Sequence, residues 1–187
     1  VLVLGAPESD KQTAMNSAGP NPVFLCFWRL PVVFATVTIA ADQLTKHLVA
    51  TRWPLGSQHV IIPNFLHLVH LRNTGGAWGV FPQYTHILSL VSLIVGIMLV
   101  WHFDSFVEGF VERSLALAFL CGGIFGNLID RVVRGEVVDF VLFFYRDFQW
   151  PAFNVADSAI CCGVAVFVLS SFLRGSDEQP DDNNATG

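Results

Sequence analysis

Residues 73–103 read NTGGAWGVFPQYTHILSLVSLIVGIMLVWHF, a stretch without a single Asp, Glu, Lys or Arg. Its second part, residues 84–102, has the composition of a helix that crosses a bilayer, where about 20 apolar residues cover a hydrocarbon core of roughly 30 Å. The rest of the chain agrees with that reading. Of 187 residues, 53% are hydrophobic and only 13% charged, about half the charge of an ordinary globular chain. The mean hydropathy is +0.55, and seventeen Phe add to the bias. A soluble monomer of this composition would expose large apolar patches. The membrane class follows before any motif is considered.

Working outward, the sparse charges divide the chain into four apolar blocks: residues 30–49, broken only by Asp42 and Lys46; residues 84–102; residues 114–129, apolar up to Asp130; and residues 158–173, apolar up to Arg174. The last two reach spanning length only if the polar motifs at their ends join the helix. The expected fold is an all-α membrane protein with four transmembrane helices. Residues 59–71 (HVIIPNFLHLVHL) are rich in β-branched and apolar residues around a Pro63-Asn64 turn and predict short strands. Residues 143–150 bring together Phe143, Phe144, Tyr145, Phe148 and Trp150, and predict an interfacial aromatic segment at headgroup depth. The first 22 residues read as a flexible tail or cloning remnant, residues 23–175 as the membrane domain, and residues 176–187 as a disordered acidic tail.

Several function classes drop out. A net charge of −5 argues against nucleic acid, which favours clustered Lys and Arg. Cys26, Cys121, Cys161 and Cys162 sit in apolar stretches without Cys-x-x-Cys or His partners, so they read as buried, inert thiols. His67 and His70 read as packing residues, since two ligands are too few for a typical metal site. Neither a His-Glu-x-x-His helix nor a Gly-x-Ser-x-Gly elbow is found. No metal and no cofactor are expected.

What remains is the position of the polar residues. Asp42 and Lys46 lie at the end of the first block, and Arg72 and Asn73 precede the second. Asn127, Asp130, Arg131 and Asp139 end or follow the third, and Asn154 and Asp157 open the fourth. With four alternating spans, all ten lie toward one surface. Acids inside a membrane cost about 2.5 to 3.5 kcal/mol each at the bilayer centre and persist for a reason. Most have a structural reading as well. Asp42 and Lys46 form an i,i+4 pair, and Asn127 with Asp130 and Arg131 can glue helices together. Gly122 and Gly126 suit close helix packing, and Asp157 can cap a helix with Asn154. Asp139 stands alone in an apolar run. Two carboxylates at the mouths of adjacent spans suggest a pair sharing one proton, in which one acid takes a proton from water while the other polarises a carbonyl. A proton- or ion-coupled transporter is the alternative, though the polar residues gather at one surface and no inverted repeat is evident.

Taken together, Asp42-Gln43-Leu44-Thr45-Lys46, Asn73-Thr74-Gly75-Gly76-Ala77-Trp78-Gly79, Gly126-Asn127-Leu128-Ile129-Asp130-Arg131 with Val137-Val138-Asp139-Phe140, and Phe153-Asn154-Val155-Ala156-Asp157-Ser158-Ala159-Ile160 resemble the ordered signature blocks of the bacterial lipoprotein signal peptidase (signal peptidase II) family. The central block departs mildly, with Gly76-Ala77-Trp78 where the family usually has Ala-Ala-Phe. The resemblance implies a monomeric aspartic endopeptidase of the inner membrane with four helices and an extracytoplasmic β-cradle. Such an enzyme cuts diacylglyceryl-modified prolipoproteins just before the lipid-bearing Cys. It implies Asp139 and Asp157 as the catalytic pair, supported by Asp42, Lys46, Asn73, Asn127, Asp130, Arg131 and Asn154. It also implies membrane lipid as a partner, cytoplasmic termini and a site near the outer surface. Charge counting alone would reverse that orientation. Lys46, Arg52, Arg72, Arg131, Arg134 and Arg146 fall on the site's side and four basic residues on the other, and basic residues favour the cytoplasm.

Overall fold

The computed structural model describes residues 22–76 and 84–175. Both tails read from the sequence, and the Ala77-Trp78-Gly79 end of the central block, lie outside the described residues. Along the chain run helix α1 (Pro22–Arg52), strands β1 (Gln58–Ile62) and β2 (Leu66–Asn73), helices α2 (Thr85–Trp101), α3 (Phe103–Val107) and α4 (Val111–Arg134), strands β3 (Val137–Tyr145) and β4 (Phe148–Gln149), and helix α5 (Val155–Gly175). The architecture is mostly helical with one four-stranded antiparallel sheet in the order β1-β2-β3-β4.

Among the described residues, two helices are long and apolar enough to cross a membrane, Val111–Arg134 and Val155–Arg174; α2 is apolar but 17 residues long. On α2 the exposed residues Ile87, Val91, Ile94, Met98 and Trp101 follow a helical period, the stripe that a lipid-facing helix presents. The motif residues at the end of the third block do join the helix. Asn127, Asp130 and Arg131 all lie within α4, so that block reaches 24 residues.

Hydrocarbon gives helices no hydrophobic reason to associate, so they meet through small residues that let backbones approach. On α4 this is literal. A Cβ on Gly122 would lie 2.8 Å from Thr38 of α1, one on Gly123 would lie 2.4 Å from the Ala156 carbonyl of α5, and one on Gly126 would lie 2.8 Å from the Asp42 carboxylate. Gly163 of α5 returns the contact, 2.7 Å from the Ala116 carbonyl. At the other end of this pair, Arg113 pairs with Glu108 and donates to Ser170 at 3.3 Å. Arg174 pairs with Glu112 at 2.5 Å and covers the Phe110 ring at 3.6 Å. Polar side chains therefore clasp the helices at the end remote from the aspartates.

The sheet is larger than the sequence suggested. The strands read from residues 59–71 are β1 and β2, turned at Asn64, whose φ of 58° is left-handed. The aromatic segment at 143–150 is not a separate interfacial piece. It is the end of the nine-residue strand β3, a turn and the short strand β4. Phe65, Phe143, Phe148, Trp150 and Phe153 line an apolar cavity of about 360 Å³ at this end of the sheet. Val49, Val138 and Phe140 form a small buried core, with Trp53 and Val155 packed against it, and seat the sheet on α1 and α5. The thiols also differ from expectation. Cys121 is buried, but Cys161 and Cys162 are exposed on α5, because an apolar stretch of a membrane helix can face outward.

Substituting Gly123 by Ala places a methyl group against a backbone carbonyl that cannot turn aside. The variant should lose about 1 to 3 kcal/mol of stability, read as a lowered thermal midpoint in detergent. An unchanged midpoint would show that α4 and α5 can separate at no cost.

Candidate active site

The site begins with one lysine. Lys46 is fully buried, and its Nζ lies 2.8 Å from Asp42 Oδ2, 3.0 Å from Asp130 Oδ2 and 2.9 Å from Asn127 Oδ1. An ammonium has three protons, and here each has an acceptor. The two carboxylates are likewise 0% exposed. Burial at this cost is sustained only by pairing and full hydrogen bonding, and the neighbours supply it. Asp42 Oδ1 accepts the Ala156 N–H at 2.9 Å, and Asp130 Oδ2 accepts the Val138 N–H at 3.3 Å. Gln43 donates to Asp130 Oδ1 at 3.1 Å and to the Gly126 carbonyl at 3.0 Å. Arg134 pairs with Asp130 and donates to Gln43 Oε1 at 3.3 Å. One ion cluster thus fixes α1, α4, the start of β3 and the start of α5.

Asn127 carries the network outward. Its Oδ1 accepts from Lys46 and, at 3.3 Å, from Asn154 Nδ2, while its Nδ2 donates to Asp157 Oδ1 at 2.8 Å. Asn154 caps α5. Its Oδ1 accepts the Asp157 N–H at 3.0 Å, and Asp157 Oδ2 accepts the Asn154 N–H at 3.1 Å, a reciprocal capping box. The capping role read for Asp157 is therefore real, and it leaves Oδ1 to Asn127. Asn154 Nδ2 also donates to Asp139 Oδ1 at 2.8 Å. Asp139 Oδ2 accepts from Asn73 Nδ2 at 3.2 Å. A single asparagine therefore touches both carboxylates.

Asp139 is 4% exposed. Burial, and after it the Asp157 charge, push its carboxyl up to about 7. The hydrogen bonds from Asn73 and Asn154 and the Lys46 charge pull the other way without cancelling the rise. Arg131 completes the set. Its Nη2 donates to the Gly75 carbonyl at 3.3 Å, in the turn shaped by the Gly75 N–H bonding Asn73 Oδ1 at 2.8 Å. Asp157, Asp139 and Asp130 all lie within electrostatic reach of Arg131.

Nine of the ten polar residues read as converging therefore meet in one network, Arg131 joining it through the Asn73–Gly76 turn; Arg72 stays outside it and pairs with Glu136 at 2.6 Å. Two members were missed. Gln43 lay inside a quoted motif without a role of its own, and Arg134 entered only the count of basic residues. The i,i+4 spacing of Asp130 and Arg134 was the available signal. Among the described residues no group of three or more His, Cys, Asp or Glu is arranged to hold a metal ion.

Buried, hydrogen-bonded acids at the end of membrane helices define a class of membrane enzyme, and two solved structures share its fold. Both are bacterial membrane enzymes determined in meso. One matches with a TM-score of 0.76 and 31% identity over 82% of this chain and 93% of its own. The other matches with a TM-score of 0.69 and 33% identity over 75% and 91%. The signal peptidase (SPase) II family model matches residues 34–173. A lipoprotein signal peptidase of Syntrophotalea carbinolica is 37% identical over 154 residues, 81% of this chain and 96% of that protein. One from Bacillus pumilus is 36% identical over 143 residues, 76% and 92%. The chain belongs to the signal peptidase II family. It is a bacterial membrane protein and a protease.

Replacing Lys46 by Met should cost about 3 to 5 kcal/mol, because it strands the buried Asp42 carboxylate without a cation and leaves Asp130 with Arg134 alone. Detergent unfolding of the variant should show it. A loss below about 1 kcal/mol would place the cluster at the level of an exposed pair.

Proposed function

We propose that this protein is an aspartic endopeptidase that removes the signal peptide from diacylglyceryl-modified prolipoproteins, with Asp139 and Asp157 as the reacting pair. The observation that carries this reading is the double contact of Asn154, which holds both carboxylates inside one buried network. Charge supports it. Asp42, Asp130, Asp139 and Asp157 oppose Lys46, Arg131 and Arg134, four acids against three cations. One proton on the Asp139–Asp157 pair makes the cluster neutral, the state a low-dielectric site favours.

The chemistry then follows from two environments. Asp157 accepts two hydrogen bonds at the start of α5, where the helix field favours an anion, and serves as the ionised base. Asp139, raised by burial, keeps the proton. Water attacks the scissile carbonyl carbon and gives its proton to Asp157, while the Asp139 proton moves to the carbonyl oxygen. The tetrahedral adduct collapses as the amide nitrogen takes the proton held by Asp157 and one adduct hydroxyl returns its proton to Asp139, so the C–N bond breaks to a carboxylic acid and an amine and the pair is restored. The remaining residues of the network hold these two in register.

The relatives' names supply the prolipoprotein class of substrate, and the site's position at the ends of apolar helices suits a lipid-linked one. The protein acts as a monomer in the inner membrane with α1, α2, α4 and α5 spanning, both termini cytoplasmic and the site toward the outer surface. Protease added to intact spheroplasts should spare both tails; their removal from outside would reverse this topology.

Purified protein should release the signal peptide from a lipidated prolipoprotein peptide, and Asp139→Asn and Asp157→Asn should each abolish release while the fold is kept. Retained turnover in either variant removes that residue from the pair. The same assay reads the proton. If protonated Asp139 is the acid, kcat/KM falls as pH rises through about 7, since the profile reports groups of the free enzyme. A rise through that pH would exchange the two roles.

A further inference from the structure

Strand β2 changes phase as it runs along β3. Leu66, His67 and Leu68 lie opposite Phe143, Leu142 and Val141, whereas Leu71, Arg72 and Asn73 lie opposite Asp139, Val138 and Val137. Val69 and His70 therefore share the one position opposite Phe140, which is a β-bulge. Both are buried, at 3% and 2% exposure, although neighbours in a regular strand point to opposite faces.

The bulge decides which face Asn73 takes. Directly opposed residues of an antiparallel pair project to the same side. With the bulge, Leu71 opposes Asp139, and Asn73, two residues on, shares its face and donates to its carboxylate. Continued without the extra residue, the register of Leu68 and Val141 would set His70 opposite Asp139 and Asn73 opposite Glu136. Asn73 would then point to the other side of the sheet.

His70 is where the bulge is pinned. Its Nδ1 lies 2.9 Å from the Trp53 carbonyl; a carbonyl only accepts, so Nδ1 carries the hydrogen. Its backbone N–H donates to the Ser57 carbonyl at 3.1 Å, and its carbonyl accepts the Gly56 N–H at 2.8 Å. Every one of these bonds goes to the segment leading out of α1, the helix that bears Asp42 and Lys46. Trp53 itself packs against the cluster of Val49, Val138 and Phe140, the last two of which flank Asp139 in β3. Nε2 has no partner among the described residues, so the ring is held through Nδ1.

We infer that His70 is a positioning residue for Asp139: its Nδ1 bond to the Trp53 carbonyl holds the bulge that turns Asn73 onto the face of that carboxylate. The inference rests on the assignment of Asp139 to the reacting pair. Asp139 is also faced by Asn154 and Asp157 from α5, and it feels the charges of Arg131 on α4 and Lys46 on α1. Displacing Asn73 leaves those in place and removes one bond that favours the ionised form.

The test compares His70→Asn, His70→Gln and His70→Ala in the full chain, with a lipidated prolipoprotein peptide as substrate. The amide nitrogen of Asn can take the place of Nδ1, whereas that of Gln falls where Nε2 was. His70→Asn should keep the wild-type rate and pH profile. His70→Gln and His70→Ala should lower kcat roughly ten- to hundredfold, as a small misplacement of a reacting group does, with KM little changed. Their alkaline limb of kcat/KM should move to higher pH, because the lost bond leaves protonated Asp139 more favoured. If His70→Ala does not fold, the Asn and Gln variants decide alone. Equal behaviour of those two, or a limb that stays in place while the rate falls, overturns the inference. An Asp139→Asn control that still turns over would instead bring down the pair assignment, whatever His70 does.

Discussion

A lysine ammonium enclosed by two aspartates, with no access to solvent, is the constraint on which the rest of the structure depends. An isolated charge at such depth is costly; here the cost is offset because each ammonium proton has an acceptor and the carboxylates accept backbone N–H groups as well. The partners come from different places in the chain. Asp42 lies one turn away on α1, Asp130 and Asn127 come from α4, and the backbone N–H groups of Val138 and Ala156 reach the same carboxylates. The cluster thus sets the mutual placement of helices whose lipid-facing sides offer no preference of their own. The glycines of α4 make the approach sterically possible, and the ions decide its register.

The fixed cluster hands its order on through amides. Asn127 and Asn154 each accept on one atom and donate on another, so a displacement of Lys46 is felt at Asp157 and then at Asp139. Amides suit this position because they orient carboxylates without adding charge. Burial and the neighbouring Asp157 charge raise the Asp139 carboxyl. Chemistry and architecture share their hydrogen bonds here. The bond that caps α5 is one that aims Asp157.

Much of this was legible in the sequence, for physical reasons that differ by element. Helix α2 was read within a residue at each end because no charge interrupts it. Convergence of the polar residues was expected from alternating spans, since polar residues placed toward one surface have few places to go. Strand β3 was not legible. Its burial leaves Val137 to Phe140 inside on both faces, so Val137-Val138-Asp139-Phe140-Val141 shows no alternation and gives no strand period. Gln43 and Arg134 were missed because a polar side chain near a helix end reads as solvated unless its partner is known. His70 was set aside as packing, which its burial justifies; its role as a pin depends on a two-against-one pairing that no single strand reveals.

The order in which the ribosome releases these residues gives the ion cluster a further meaning. Asp42 and Lys46 emerge first, and four residues apart on one helix they pair with each other, so α1 carries a matched pair before Asp130 is made. The site cannot form so early. Asn154, Ala156 and Asp157 lie at the entrance to the last helix, and until they arrive Asp42 lacks its backbone donor and Asp139 lacks its bridging amide. The network is therefore closed only by the last helix to be made.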